Sequence, residues 1–167
     1  MKRILLFFLL LPISSLACDI QVAFSPDRGA TELVIRTIES AKKTVRVAAY
    51  SFTSKPIALA LVADAKRGVD VKVVVDKSQA TTRYSAATFL PNAGIPVRVD
   101  YRYAIMHDKF VVVDSQTVEE RSFNYTEAGE HRNAENVLVL RHEVVVARRY
   151  EQEWERLWDE STSVQAR

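Results

Sequence analysis

In some segments of the chain apolar residues recur at helical spacing, and in others they form short runs rich in Val and Ala. Segments with these two patterns alternate along the first part of the chain. The elements predicted for the first part are a helix at 31–41, a strand at 44–51, a helix at 54–67, a strand at 69–75, a helix at 85–93 and a strand at 95–100. Gly68 and Gly94 follow two of the helices, where glycine commonly ends a helix. Strands that alternate with helices predict an α/β sheet.

The second part of the chain changes this rhythm. Three apolar runs with short connections predict strands at 109–114, 117–123 and 136–140. A long amphipathic helix is predicted at 143–160, with Ala147, Trp154 and Leu157 on its core-facing stripe. The predicted fold is one α/β domain, a mixed β-sheet flanked by helices on both faces.

The start of the chain differs in composition from the rest. Residues 1–17 combine a basic start, the apolar run Ile4–Leu11 and the small residues of Ser15-Leu16-Ala17, which together predict a cleaved secretory signal. The domain is then 18–167, periplasmic or secreted, with no stable membrane partner expected. Cys18 is the only cysteine, so an internal disulfide is excluded, and its lipidation stays an open question.

Net charge gives little indication of a partner. Without Lys2 and Arg3 the 23 basic residues become 21 (23 minus 2), equal to the 21 acidic ones. Residues 77–109 hold five basic residues against two acidic ones. This stretch either faces a phosphate backbone or is an ordinary solvated surface.

The stretch around His107 and Lys109 carries the most informative chemistry. Both precede an apolar run that ends at Asp114, and residues two apart in a strand point to the same face. An imidazole beside a fixed positive charge suits a phosphodiester, which needs a nucleophile, a proton donor and charge neutralisation. One cysteine and three scattered histidines form no zinc pattern, so no metal or cofactor is expected.

Further polar groups follow along the chain. Ser122 and Asn124 offer donors to phosphate oxygens, and the carboxylate of Glu135 can orient an imidazole. Tyr50 ends the first predicted strand, where an α/β sheet commonly opens its ligand crevice.

The spacing His107-x-Lys109-x4-Asp114, followed by Ser122-x-Asn124, resembles the signature of the phospholipase D superfamily. Segments at 49–53, 66–72, 94–96, 122–126 and 133–136 resemble its small secreted bacterial endonucleases. The resemblance implies a structural role for Asp114 and a hydrogen bond between the Glu135 carboxylate, as acceptor, and the catalytic histidine.

The resemblance also implies a mechanism, because members of the superfamily use two such motifs and this chain has one. The small nucleases work as homodimers with a shared active site, so a likeness to them implies a homodimer here. His107 of one subunit would form a phosphohistidine, and His107 of the other would protonate the leaving oxygen. Lys109 and Asn124 would hold the phosphate oxygens without a metal, and the expected substrate is DNA or RNA.

One position departs from the family pattern, since Arg121 stands where the motif has glycine. Arginine there either blocks the site or reaches the phosphate and adds charge; the sequence leaves both open. Two alternative functions follow. One is a phospholipase D-type hydrolase of phospholipid headgroups, and the other is a catalytically impaired dimer that binds nucleic acid.

Overall fold

Eight strands and five α-helices follow one another along residues 19–166, the part of the chain that the computed structural model describes. The strands are β1 (Asp19–Ser25), β2 (Thr44–Ala49), β3 (Asp70–Asp76), β4 (Val97–Asp100), β5 (Phe110–Val113), β6 (Thr117–Arg121), β7 (Glu135–Arg141) and β8 (Thr162–Ser163). The helices are α1 (Ala30–Glu39), α2 (Lys55–Lys66), α3 (Ala86–Asn92), α4 (Glu127–His131) and α5 (Val144–Glu160). The predicted signal segment and Cys18 lie outside the described residues.

All eight strands form one mixed sheet in the order β1-β7-β6-β5-β2-β3-β4-β8. The pairs β2–β3 and β3–β4 are parallel, as expected for strands joined by helices, and the other neighbours are antiparallel. The antiparallel half begins at β5, which pairs with β2 in the middle of the sheet.

Each face of the sheet has its own hydrophobic core. Alternate strand residues such as Val47 and Val73 pack under α1, α2 and α3. Their neighbours Ala48 and Val74 point to the opposite face, where Trp154 of α5 covers them. This confirms the predicted fold of one domain with helices on both faces.

The structure contains four elements that the sequence pattern did not predict. They are β1, a short 3₁₀ helix at Lys77–Ala80, the single-turn helix α4 and the two-residue strand β8. The alternation of Ile20, Val22 and Phe24 is the usual sign of a strand, but it lies in a segment next to the predicted signal.

Among residues 19–166 the structure has no helix with the length and apolar character needed to cross a membrane.

Asp114 lies at the opposite end of β5 from Lys109, roughly 16 Å away at the rise of an extended strand. Its carboxylate accepts hydrogen bonds from the backbone N–H groups of Lys42, Lys43 and Thr44 at 2.8, 2.7 and 2.8 Å. Asp114 therefore ties the start of β2 to the end of β5 and is not among the groups around His107.

We predict that Asp114→Ala lowers the free energy of unfolding by about 2–3 kcal/mol, because three backbone donors lose a charged acceptor. Chemical denaturation measures this loss. Asp114→Asn, which keeps one acceptor and tolerates the left-handed backbone at φ 52°, should lose less. A catalytic role for Asp114 would show instead as a lost rate in a variant of unchanged stability.

Candidate active site

One edge of the sheet collects nearly all of the predicted site residues. The parallel strands end at this edge, with Tyr50 just beyond β2. The antiparallel strand β5 begins there after His107 and Lys109, and β6 ends there before Ser122. The strand β7 begins there at Glu135. The topology thus brings together groups that are far apart along the chain.

His107 and Lys109 are in direct contact. The Lys109 Nζ atom lies 3.0 Å from Nε2 and 3.1 Å from Nδ1 of the ring, and donates to the His107 carbonyl oxygen at 2.9 Å. The Tyr50 ring packs against the imidazole with centroids 4.7 Å apart, and Lys109 Nζ lies 5.5 Å from the centroid of Tyr50. His107 is exposed and Lys109 is buried, so a substrate can reach the imidazole while the ammonium is held in place.

The surroundings of Lys109 alter its acidity. Burial lowers the pKa of Lys109, and the positive charge of Arg121 lowers this pKa further. The carboxylates of Glu135, Asp108 and Glu120 act in the opposite direction. A lysine with a lowered pKa holds its proton less tightly, which makes its ammonium a stronger hydrogen-bond donor to a phosphate oxygen.

A buried carboxylate positions the segment that leads to His107. Asp76, at the end of β3, accepts from the backbone N–H of Met106 at 2.8 Å and from that of Ser78 at 2.9 Å. Met106 is itself buried and directly precedes the histidine. The sequence placed Asp76 at the end of a strand but gave no sign of this contact across 30 residues.

Ser122 and Asn124 lie on the loop after β6. The Ser122 hydroxyl accepts from the backbone N–H of Asn136 at 3.1 Å, which fixes it beside the start of β7. The side-chain oxygen of Asn124 is buried without a hydrogen-bond partner among the described residues. Gly129 of α4 packs so closely that an added Cβ would lie 2.3 Å from the Asn124 carbonyl oxygen, so only glycine fits there.

Glu135 makes a different contact from the one predicted. Its carboxylate accepts from the Asn133 side-chain amide at 2.8 Å. In the described chain the ring nitrogens of His107 contact Lys109, and the predicted hydrogen bond between Glu135 and His107 is not formed. Glu135 still acts on the site, because its charge raises the pKa of Lys109.

Arg121 neither blocks the site nor extends toward a phosphate. Its buried guanidinium pairs with the buried carboxylate of Glu119, donates to the Phe123 carbonyl at 3.0 Å and lies over the Tyr125 ring. Residues two apart in β6 share a face, which brings Glu119 and Arg121 together. That spacing was the available sequence signal. The motif glycine is thus replaced by a residue of the core.

The buried pair has consequences for the acidity of Glu119. Burial raises the pKa of Glu119 to about 7, although Arg121 and the Tyr125 hydroxyl at 3.2 Å both favour the carboxylate. The second carboxylate oxygen, Oε1, is buried without a partner in the described structure. Glu119 therefore depends on Arg121 for compensation of its charge.

One group of side chains in residues 19–166 has metal-ligand spacing. Asp27, Glu130 and His131 place one ligand atom each within 4.8 Å of the others. The Nδ1 atom of His131 already pairs with Asp27 at 2.8 Å, and the hydrogen bond to Asp27 raises the pKa of the ring. This group lies on the turn after β1 and on α4, apart from His107 and Lys109.

Comparison with known proteins gives consistent matches. A family described as "Cardiolipin synthase, PLD-like domain" matches residues 34–158. The phospholipase D of Rickettsia typhi is 32% identical over 136 residues, 81% of this chain and 66% of that protein. The mitochondrial cardiolipin hydrolase of Xenopus laevis is 32% identical over 134 residues, 80% of this chain and 63% of that protein. The chain spans about two thirds of the length of these curated relatives.

Solved structures match over more of their length. Nuc from Salmonella typhimurium, described as a phospholipase D family member, has a TM-score of 0.87 and 41% identity, and the match covers 90% of this chain and all of Nuc. NucT from Helicobacter pylori has a TM-score of 0.80 and 22% identity over 87% of this chain and 99% of that chain, which shows a shared fold.

We predict that Arg121→Gly, although it restores the family's glycine, lowers the free energy of unfolding by about 3 kcal/mol. The change leaves Glu119 buried and uncompensated. Chemical denaturation measures the loss, and the double variant Glu119→Gln with Arg121→Met should recover most of it. If Arg121→Gly were as stable as the natural chain and more active, the arginine would be an obstruction in the site.

Proposed function

The chain belongs to the phospholipase D-like family, as its motifs predicted, and we propose that it is a metal-independent phosphodiesterase that cleaves DNA or RNA. The observation that carries this proposal is the contact between His107 and Lys109 at the sheet edge where Ser122 and Asn124 also lie. The 41% identity with Nuc over all of that protein supports a small enzyme of this type. Export to the periplasm or beyond is part of the proposal.

The proposed reaction has two displacements at phosphorus. An unprotonated ring nitrogen of His107 attacks, a phosphorus–nitrogen bond forms, and the bond to the leaving oxygen breaks as that oxygen takes a proton. Water then attacks the phosphohistidine and passes a proton to the imidazole that protonated the leaving oxygen, and the phosphorus–nitrogen bond breaks as the second product leaves. Lys109 and Asn124 stabilise the charge on the non-bridging oxygens in both steps.

The proton donor in this scheme is His107 of a second subunit. The sheet edge of one chain offers a single imidazole, since His131 and His142 are exposed elsewhere. A twofold axis beside His107 would bring a second imidazole to the same phosphorus, because a twofold interface joins identical patches. The site is therefore proposed to be complete only in a homodimer.

An exposed apolar patch on β1 supports such pairing. Ile20, Val22 and Phe24 are 59%, 54% and 49% exposed, and they lie beyond the strands that α5 covers. Phe24 is paired with Asn136, and the next residue, Ser25, is paired with Glu135 at the site edge. Apolar side chains in a row next to an incomplete site are suited to burial against a second copy.

Hydrolysis of a phospholipid headgroup is the second candidate. The names of the Rickettsia and Xenopus relatives favour it, since they denote enzymes acting on lipids. The same His107 chemistry would apply to either diester. Release of headgroup from phospholipid vesicles without cleavage of nucleic acid would select this candidate. The third alternative, a site disabled by Arg121, is weakened because that side chain lies in the core.

We predict that the purified protein cleaves nucleic acid in excess chelator, and that His107→Asn lowers the rate by at least about 10³-fold through loss of the nucleophile. His142→Asn is the matched control, because His142 is exposed outside the site, and its rate should be unchanged. Gel-based cleavage of labelled DNA and RNA measures both. Activity that requires added magnesium would contradict the metal-independent mechanism.

A further inference from the structure

A cavity of about 310 Å³ opens next to the catalytic edge and has no role in the chemistry described above. It lies between the segment after β2, the start of α2 and the start of α3. Its lining is almost entirely apolar, and its one charged group is an ammonium. The lining residues are Phe52, Thr53, Ser54, Lys55, Ala58, Tyr84, Ala86 and Phe89.

Two aromatic side chains at the mouth of this cavity face solvent. Tyr84 is 75% exposed and Phe89 is 43% exposed, whereas Phe110 and Phe123 are buried in the core. The guanidinium of Arg83 lies over the Tyr84 ring, 4.8 Å from its centroid. Exposed flat rings beside cations are the usual platform for stacked bases of single-stranded nucleic acid.

The floor of the cavity is rigidly joined to the catalytic edge. Phe52 is two residues after Tyr50, so their Cα atoms are at most about 7 Å apart. The N–H groups of Thr53 and Ser54 donate to the Tyr125 carbonyl at 2.7 and 2.8 Å, and that of Ala86 donates to the Phe52 carbonyl at 2.8 Å. Tyr50 in turn packs against the His107 ring with centroids 4.7 Å apart, so the floor of the cavity begins beside the site.

We propose that this cavity binds an unpaired base of the nucleic acid next to the scissile phosphate, so that the protein prefers single strands. The inference rests on the proposed function and names the part of the substrate that this surface takes. Lys55 and Arg83 complement the phosphates that flank the base, and no acidic residue is among the lining residues. A base inside a duplex cannot enter, because both of its faces are stacked.

The test compares Tyr84→Ala/Phe89→Ala with Leu59→Ala, which removes an exposed aliphatic side chain outside the cavity. Both are made in the His107→Asn background, and binding of a short fluorescein-labelled single-stranded DNA is followed by anisotropy. The double variant should bind about tenfold more weakly from the loss of stacking, and Leu59→Ala should bind normally. Binding to duplex DNA should not change.

Two further measurements make the result decisive. A DNA strand with an abasic position next to the scissile linkage should bind the natural protein and the double variant with the same affinity. If the double variant also bound this abasic DNA about tenfold more weakly than the natural protein, the proposal would be overturned. Reduced binding to phosphatidylglycerol vesicles with unchanged binding to DNA would assign the cavity to an acyl chain and also overturn it.

Hydrolysis of methyl p-nitrophenyl phosphate, a diester that carries neither a base nor flanking phosphates, separates this inference from the proposed function. With His107 intact, the double variant should cleave this diester at the natural rate. If the natural protein cleaves no diester at all, the proposed function fails, while the anisotropy measurements still decide whether the cavity binds a base.

Discussion

The contact between the Lys109 ammonium and the His107 ring is the interaction on which the rest of the site depends. The Lys109 Nζ atom lies 3.0 and 3.1 Å from the two ring nitrogens, so a fixed positive charge stands directly beside the imidazole. In the proposed reaction the ammonium donates to a phosphate oxygen and the imidazole attacks phosphorus. Burial of Lys109 and exposure of His107 give the two residues these separate roles.

The fold keeps this contact in place through buried polar groups beneath the site. Asp76 fixes the backbone before His107, and Arg121 joins β6 to the Phe123 carbonyl on the loop that carries Asn124. Gly129 lets α4 pack against the same loop. None of these residues needs to contact a substrate. The burial of Arg121 against Glu119 explains how an arginine occurs at the family's glycine position without filling the site.

The sequence predicted most of the sheet and the candidate site because these depend on local patterns. Strand alternation, helix-ending glycines and the His107-x-Lys109 spacing are all readable within a few residues. The contacts of Asp76, Glu135 and Arg121 depend on which strands become neighbours, which a local pattern does not contain. The strand β1 was missed for a different reason: its alternating apolar residues lie next to the predicted signal. Its position as the outermost strand follows from pairing with β7, over 100 residues away.

The central claim is that two copies of His107 act on one phosphorus atom. Co-expression of the natural chain and His107→Asn with different affinity tags allows a mixed dimer to be purified and its cleavage rate measured. The account predicts a rate at least about a hundredfold below that of the natural dimer, because one imidazole cannot serve as nucleophile and proton donor at once. A mixed dimer with half of the natural rate would show that each subunit works alone, and would contradict the shared site.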